Sequence, residues 1–556
     1  MEMEGDEYWT AAVSQRLAAI DGFTRTKLSF PSHITVARQV VQDEISALRR
    51  ATRLVGTRWN ELTPICRLPQ EVLAYIFHLH VIETRNTDIC WVVQLTHVCR
   101  LWRHLALSLA SIWTDVTFSA GVEWGREMLE RSKTAPVNME LKKLIPCDFF
   151  DGPKDTQLQQ MSKRAALISA HLHHIRSMSV LGCLCDVDAV LAFLAVPAPI
   201  LEKLEIGVCA HSHALTGTDR LIVLGPDFLS EDAPKLRLVR LWGCALPWTS
   251  PLWKNLVNLE ISHNPRNTPV SLGSAADLIQ ALQNIPALDS LKLENCFPQD
   301  LTSHRTSTIV TLPILTKLGI AGTARECAAL LRLLETPSST SLKITCTSTD
   351  ATGNDCCVVL PAFSATLLRP RQAGSQPLLL ELFHTGSLLR VRLSEEAAST
   401  KLALDAAVFD VTFAWAGPPC ELRLPTVKRV LDFLAEYMKS LRIIHVRSRA
   451  WRAEHWLAFF SNATQVHHVW GDSMAGWSFP QAISPTSRLF PKLQTMQLVA
   501  VDFRLEPPGG YSFIDHLSDQ LNARAEAGLA VEKLIISQCT VPPHMVTPLR
   551  DVVAVE

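Results

Sequence analysis

The chain has 556 residues, of which 47% are hydrophobic and 19% charged, with a formal net charge of −1 and a pI near 7.0. That length exceeds a single core and implies two or more domains, and the apolar content lies well outside the disordered regime. The near-zero charge argues against a general electrostatic grip on nucleic acid or an anionic membrane.

The 15 cysteines are scattered and odd in number, and the acidic, polar stretch from Met1 to Thr10 is no signal sequence. Reduced thiols in an intracellular chain, cytoplasmic or nuclear, are expected. The most apolar long stretch, Val180 to Leu201, is broken by Asp186, Asp188, Pro197 and Pro199 and reads as core.

In chain order, residues 1–33 show little periodicity and read as a loose segment. Over residues 34–62, Val40, Ile45, Leu48, Leu54 and Val55 recur near helical spacing between charged residues. This is an amphipathic helix expected to pack on the apolar segment beyond it. A self-associating coiled coil is the weaker alternative, since fewer than three or four clean heptads are present.

Residues 63–118 hold the densest large apolar side chains. Pro69 suits a helix's first turn and Glu71 the positive end of its dipole. Val72, Leu73, Ile76 and Phe77 then share one face. A second helix is expected from Ile89 to Leu95 after the Thr87-Asp88 cap signal, and a third from Val98 to Leu107 with Leu101, Trp102 and Leu105 on one side. About fifty such residues cannot bury that surface alone.

The Leu68-Pro69 opening, the run from Val98 through Cys99, Arg100 and Trp102 to Arg103, and the closing Ser111-Ile112-Trp113 together resemble an F-box, of the fungal F-box-like kind in which a helix precedes the box. Leu101 departs from the polar or basic residue usual in those relatives. The resemblance implies a three-helix module that docks on a Skp-family adaptor and so joins a cullin ligase. It implies adaptor contacts at Leu68, Pro69, Val72, Leu73, Ile76, Phe77, Val98, Cys99, Leu101 and Trp102.

Residues 119–556 carry a repeat: an apolar residue, another three on, another two further, then Cys or Asn after three more. It reads Leu201, Leu204, Ile206, Cys209; Leu236, Val239, Leu241, Cys244; Leu256, Leu259, Ile261, Asn264; and Leu288, Leu291, Leu293, Cys296. Weaker copies begin at Leu315 and Leu493, and Val531, Leu534, Ile536, Cys539 is clean. Helical patterns lie between them, at Ala275 to Gln283, Ala324 to Leu334 and Val427 to Met438. The pattern resembles leucine-rich repeats, although its starts fall irregularly, 20 to 35 residues apart over the first five copies. It implies an α/β fold, an irregular leucine-rich-repeat-like solenoid with one parallel sheet whose Cys or Asn side chains serve buried turns. Residues 338–425 are expected to distort the repeat, with a surface loop from Thr345 to Asn354, before it resumes at Leu441, Ile444 and Val446.

Chemical motifs are weak. His171, His173 and His174 with Cys183 and Cys185 do not have zinc-site spacing. Cys356 and Cys357 read as a strand or loop pair. Gly471-Asp472-Ser473 lacks the rest of a GxSxG elbow, which leaves a serine hydrolase a remote alternative, and no phosphate loop or GxGxxG occurs. No cofactor and no metal are expected. Residues between the apolar positions of each strand would line the open face of the sheet. Arg237, Arg240, Trp242, Glu260 and Lys292 are the candidates for holding an unknown protein substrate, since Arg and Trp are enriched at binding hot spots. The sequence reads as a non-enzymatic substrate adaptor of a Skp–cullin–F-box ubiquitin ligase, with an interaction scaffold lacking a ligase role as the alternative.

Overall fold

The computed structural model describes residues 5–21, 31–84, 90–142, 154–208, 221–264, 272–304, 308–347, 354–367, 378–394, 407–415, 424–505 and 512–556. The chain forms two compact units, residues 1–138 and 139–556. Among the described residues no helix is long and apolar enough to cross a membrane.

The first unit is helical. Its leading segment contains α1 (Gly5–Asp21), where a loose segment was expected. Asp6 and Glu7 occupy the first turn of α1, the favourable end of the helix dipole. Arg16 donates two hydrogen bonds, of 2.6 and 3.2 Å, to Glu44 on α2 (Pro31–Glu61). Contrary to expectation, the apolar stripe of α2 is not packed away. The helix buries Ala37 and leaves Val36, Val41, Ile45, Leu48, Leu54, Val55 and Trp59 exposed.

Next come α3 (Gln70–Thr84), α4 (Cys90–His97) and α5 (Arg100–Ser108). Pro69 opens α3, its carbonyl accepting the Leu73 amide at 3.1 Å, and Cys99 sits extended just before α5. Thr87 and Asp88 lie outside the described residues. The three helices close over Leu73, Phe77, Val81, Val92, Leu95, Leu105 and Ala106, with Phe77 against Trp102 at 4.9 Å. A 3-10 turn over Ala110–Trp113 buries Ile112 and Trp113. The Trp113 indole donates to the Ala106 carbonyl at 2.8 Å, and the Arg131 guanidinium of α6 (Val122–Ser132) lies 4.3 Å from its ring centre. The short strand β1 (Asp115–Thr117) comes after the turn, and β2 (Val137–Lys142) spans the boundary residue.

The second unit is mixed α/β with a large, mostly parallel sheet. In order come β3 (Ile175–Gly182), β4 (Lys203–Val208), β5 (Ile222–Val223), β6 (Leu238–Trp242), β7 (Cys244–Ala245), β8 (Asn258–Ser262), β9 (Ser290–Glu294), β10 (Val310–Thr311), β11 (Lys317–Gly322), β12 (Leu334–Glu335) and β13 (Ser341–Cys346). β5 pairs with β7 and β10 with β12, and the others run parallel, each beside its predecessor. The apolar repeat positions are the buried face: Leu204, Val239, Leu259, Leu291 and Leu318 form one row in register, and Ile206, Leu241, Ile261, Leu293 and Ile320 the next.

Many of the parallel strands are entered alike. One carbonyl receives two successive amides of the next strand, as Glu202 does from Arg237 and Leu238, and Arg237 from Val257 and Asn258. Many strands also leave alike, on a left-handed residue at Gly243, Asn295, Ser473, Ala500 and Gln538. Gly243 and Asn295 adopt that conformation readily, whereas Ala500 and Gln538 hold it at about 1–2 kcal/mol each.

The sheet is not wholly parallel. α7 (Asn354–Leu367), which holds Cys356 and Cys357 on a helix instead of the expected strand or loop, leads to β14 (Leu379–His384), β15 (Leu388–Ser394) and β16 (Ala407–Ala414). These form an antiparallel meander inserted in reverse, with β16 parallel to β13 and β14 parallel to β17 (Ile443–Ser448). Parallel order then continues through β18 (His468–Asp472), β19 (Thr495–Val499), β20 (Lys533–Ser537) and β21 (Ala554–Val555). Leu441, Ile444 and Val446 are fully buried where the repeat resumes. Most of the expected loop from Thr345 to Asn354 lies outside the described residues.

Candidate functional site: an exposed apolar set and a charged sheet face

The box has an inner and an outer apolar set. Leu73 and Phe77 are fully buried and hold the helices together, so they support a surface instead of forming it. Ile76, Cys99, Leu101 and Trp102 are half-buried, and Pro69 is exposed. Leu68, Val72 and Val98 present 36, 44 and 57% of their surface to solvent, beside exposed Ile65 and Tyr75. Isolated exposed aliphatics are ordinary, but several within one small module mark a contact surface.

On the open face of the second unit, alternate strand residues line up across the sheet. Arg240 lies between Glu205 (2.7 Å) and Glu260 (3.3 Å), and Lys292 between Glu260 (2.6 Å) and Glu294 (3.3 Å). Burial works against the Lys292 ammonium, but its hydrogen bonds and charge pairing with Glu260 and Glu294 raise its pKa overall. Trp242 donates weakly to Glu260 at 3.4 Å, and its ring lies where a Cβ at Gly207 would fall. Arg240, Trp242, Glu260 and Lys292 therefore form one network. Arg237 does not join it: it precedes β6, out of the strand alternation, and donates to the Asn255 carbonyl at 3.1 Å.

The row continues through residues that sequence periodicity missed. Asp410 accepts from Arg390 and pairs at 3.5 Å with the Arg392 guanidinium, which donates to Glu381 at 2.9 Å, and Glu381 lies 3.5 Å from His445. Hydrogen bonds from His445 and Arg392 outweigh burial and hold the Glu381 carboxyl down at about 2. His445 stacks on Trp470 at 4.2 Å. The available signal was the alternation of Arg390 with Arg392 inside a run of buried aliphatics.

Residues 65–119 match a family model described as F-box-like. The chain carries an F-box-like domain. The match spans α3 to α5, the Ala110–Trp113 turn and β1. No curated protein matches the chain.

The repeat cysteines divide by burial. Cys244 and Cys296 are buried, and burial pushes the Cys244 thiol up to about 12 and raises that of Cys296 as well. Cys539 is half-buried, accepting from the Val501 amide and donating to the Leu498 carbonyl, both at 3.4 Å. Asn264 is exposed, and Cys209 lies outside the described residues.

Cys183, Cys185 and Asp186 could offer three metal-ligand atoms within 4.8 Å of one another. The two sulfurs are 3.1 Å apart, closer than the roughly 3.8 Å that two thiolates on one zinc require. His173 and His174 contact each other at 3.1 Å, and burial together with His173 and His171 lowers the His174 pKa to about 4.

Ser473 occupies a sharp strand-to-helix corner, φ 59° and ψ −129°, in a cleft of about 500 Å³ shared with His384, Arg447 and Ser448. Its hydroxyl donates to Asp472 at 2.8 Å, while His384 pairs with Ser448 at 3.1 Å. Among the described residues no hydrogen bond joins Ser473 to an imidazole, the contact a serine nucleophile requires.

Proposed function

We propose that the chain is a substrate-recognition adaptor of a Skp–cullin–F-box ubiquitin ligase, of the kind in which a helix precedes the box, as in fungal F-box-like proteins. The exposed set Leu68, Pro69, Val72 and Val98, with half-buried Ile76, Cys99, Leu101 and Trp102, docks on a Skp-family adaptor, and buried Leu73 and Phe77 keep that surface in shape. The second unit, read as an irregular leucine-rich-repeat-like solenoid, holds a target protein on its open face through Arg240, Trp242, Glu260 and Lys292. The chain catalyses no step itself. It works inside the cell by raising the local concentration of its target near a ubiquitin-loaded enzyme, as tethering does for any bimolecular step.

The observation that carries this reading is an F-box-like domain whose apolar side chains stand in solvent at Leu68, Val72 and Val98. The test is copurification of a Skp-family adaptor with the full chain. Leu68→Ala with Pro69→Ala should abolish it while the second unit stays folded, and undiminished copurification would contradict the assignment.

A further inference from the structure

The row of charges along the open face alternates in sign at nearly every rung. From β4 to β9 it reads Glu205, Arg240, Glu260, Lys292, and from β16 to β14 it reads Asp410, Arg392, Glu381. The alternation fails at one place. Gly319 of β11 is in register with Lys292 on one side and Lys343 of β13 on the other, so two lysines flank a position that has no side chain. With strands about 4.8 Å apart, the two lysine backbones are about 10 Å apart, room for one anionic group between them.

The gap opens into a cleft of about 490 Å³ whose charged lining is Lys292, Lys317, Lys343, Arg390 and Arg392 with the carboxylates Glu294 and Asp410. Three of the five cations are engaged: Lys292 with Glu260 and Glu294, and Arg390 and Arg392 with Asp410. Lys317 and Lys343 are exposed and have no ion pair among the described residues. The carboxylate nearest Lys343 in register, Asp410, already serves both arginines.

We propose that this notch is the anchor point for a carboxylate or phosphate group on an extended segment of the target protein. The incoming anion takes the place that the alternation leaves vacant over Gly319, contacting Lys317 and Lys343. Lys292, Arg390 and Arg392 around the notch are already held by their own acids, so only the Lys317 and Lys343 side chains are ordered when it arrives. This inference rests on the open face being the target surface, and it adds the chemical class of the group recognised there.

The experiment is fluorescence anisotropy on the full-length chain with two labelled peptides, hexaglutamate and a phosphoserine peptide of equal length, and with inorganic phosphate as competitor. Binding that weakens as salt rises is expected for at least one peptide. Lys317→Ala with Lys343→Ala should weaken it about tenfold or more. Gly319→Glu should do the same by supplying the absent carboxylate in cis. Gly319 does not have positive φ, and the nearest obstacle to a side chain is the flexible Lys292 Cγ at 3.1 Å, so that variant is expected to fold. Equal peptide binding by wild type and variants, or no peptide binding at low salt, would overturn the proposal. Displacement of the peptide by equimolar phosphate would overturn the protein-segment assignment in favour of a free anion. Adaptor copurification is measured on the same variants. Its absence from wild type sinks the adaptor reading, whereas peptide data alone decide the notch.

Discussion

Arg524 on α8 (Phe513–Glu526) is the most exacting test of how the second unit is held together. Its side chain is fully buried, yet among the described residues it meets no carboxylate. Instead Nη1 donates to the carbonyls of Ile483 (3.3 Å) and Leu489 (3.0 Å), Nη2 to Phe490 (2.8 Å) and Nε to Leu529 (3.3 Å). Two residues of the segment it gathers, Arg488 and Phe490, are left-handed without being glycine. Burial lowers its pKa, but a guanidinium remains charged at neutral pH.

Truncation at Arg524→Ala has opposing terms. Each hydrogen bond from a charged donor contributes about 1.5–3 kcal/mol, and a carbonyl left buried without a partner costs about 1–3 kcal/mol. Against this, removing the charge recovers a desolvation penalty of several kcal/mol. The net expected loss is about 3–5 kcal/mol, a large part of the roughly 5–15 kcal/mol that stabilises a domain. Arg524→Lys should lose less, since an ammonium can still reach some of these carbonyls but cannot fork across all of them. Hydrogen exchange read by mass spectrometry should show protection lost first in residues 483–490 and 524–529. Unchanged exchange there, with a loss below about 1 kcal/mol, would refute the claim that one guanidinium organises this corner.

Two further perturbations probe the core and the charge row. Cys244→Ser should destabilise by about 1–3 kcal/mol through a poorly paired buried hydroxyl, and Cys244→Ala by less; correspondingly, Cys244 and Cys296 should resist a thiol reagent that labels exposed Cys357, and rapid labelling of the buried pair would show the repeat register to be wrong. Glu381 is held at about 2 against an ordinary 4.5, so its contribution to stability is complete above pH 4.5 and fades as pH falls towards 2. Glu381→Gln should flatten the unfolding midpoint across that interval, and an unaltered pH profile would mean that His445 and Arg392 do not stabilise the carboxylate.

How much could be read from sequence depended on which face each residue serves. The aliphatic rows at Leu204, Val239 and Leu259, and at Ile206, Leu241 and Ile261, were legible because a strand buried on one face repeats its apolar residues at fixed offsets. The meander was not, because β14 to β16 pair in an order that reverses the chain order, and periodicity carries no information about pairing partners. For the same reason Asp410, Arg392 and Glu381 could not be joined to Arg240, Glu260 and Lys292 as one row. α1 was missed because it buries no stripe, and α7 because Pro361 interrupts its interior. In the box, helix spacing indicated an apolar face but could not separate buried Leu73 and Phe77 from exposed Val72, since all lie within one turn and a half.

The central claim is that the exposed apolar set of the box is the adaptor surface. Titration calorimetry of the purified full chain with a purified Skp-family adaptor tests it most directly. One-to-one binding with a negative heat-capacity change is predicted, the signature of apolar burial. Val72→Asp with Val98→Asp, both at solvent-exposed positions, should abolish that binding without moving the unfolding midpoint. No heat from the wild-type chain, or equal affinity in the double variant, would contradict the account.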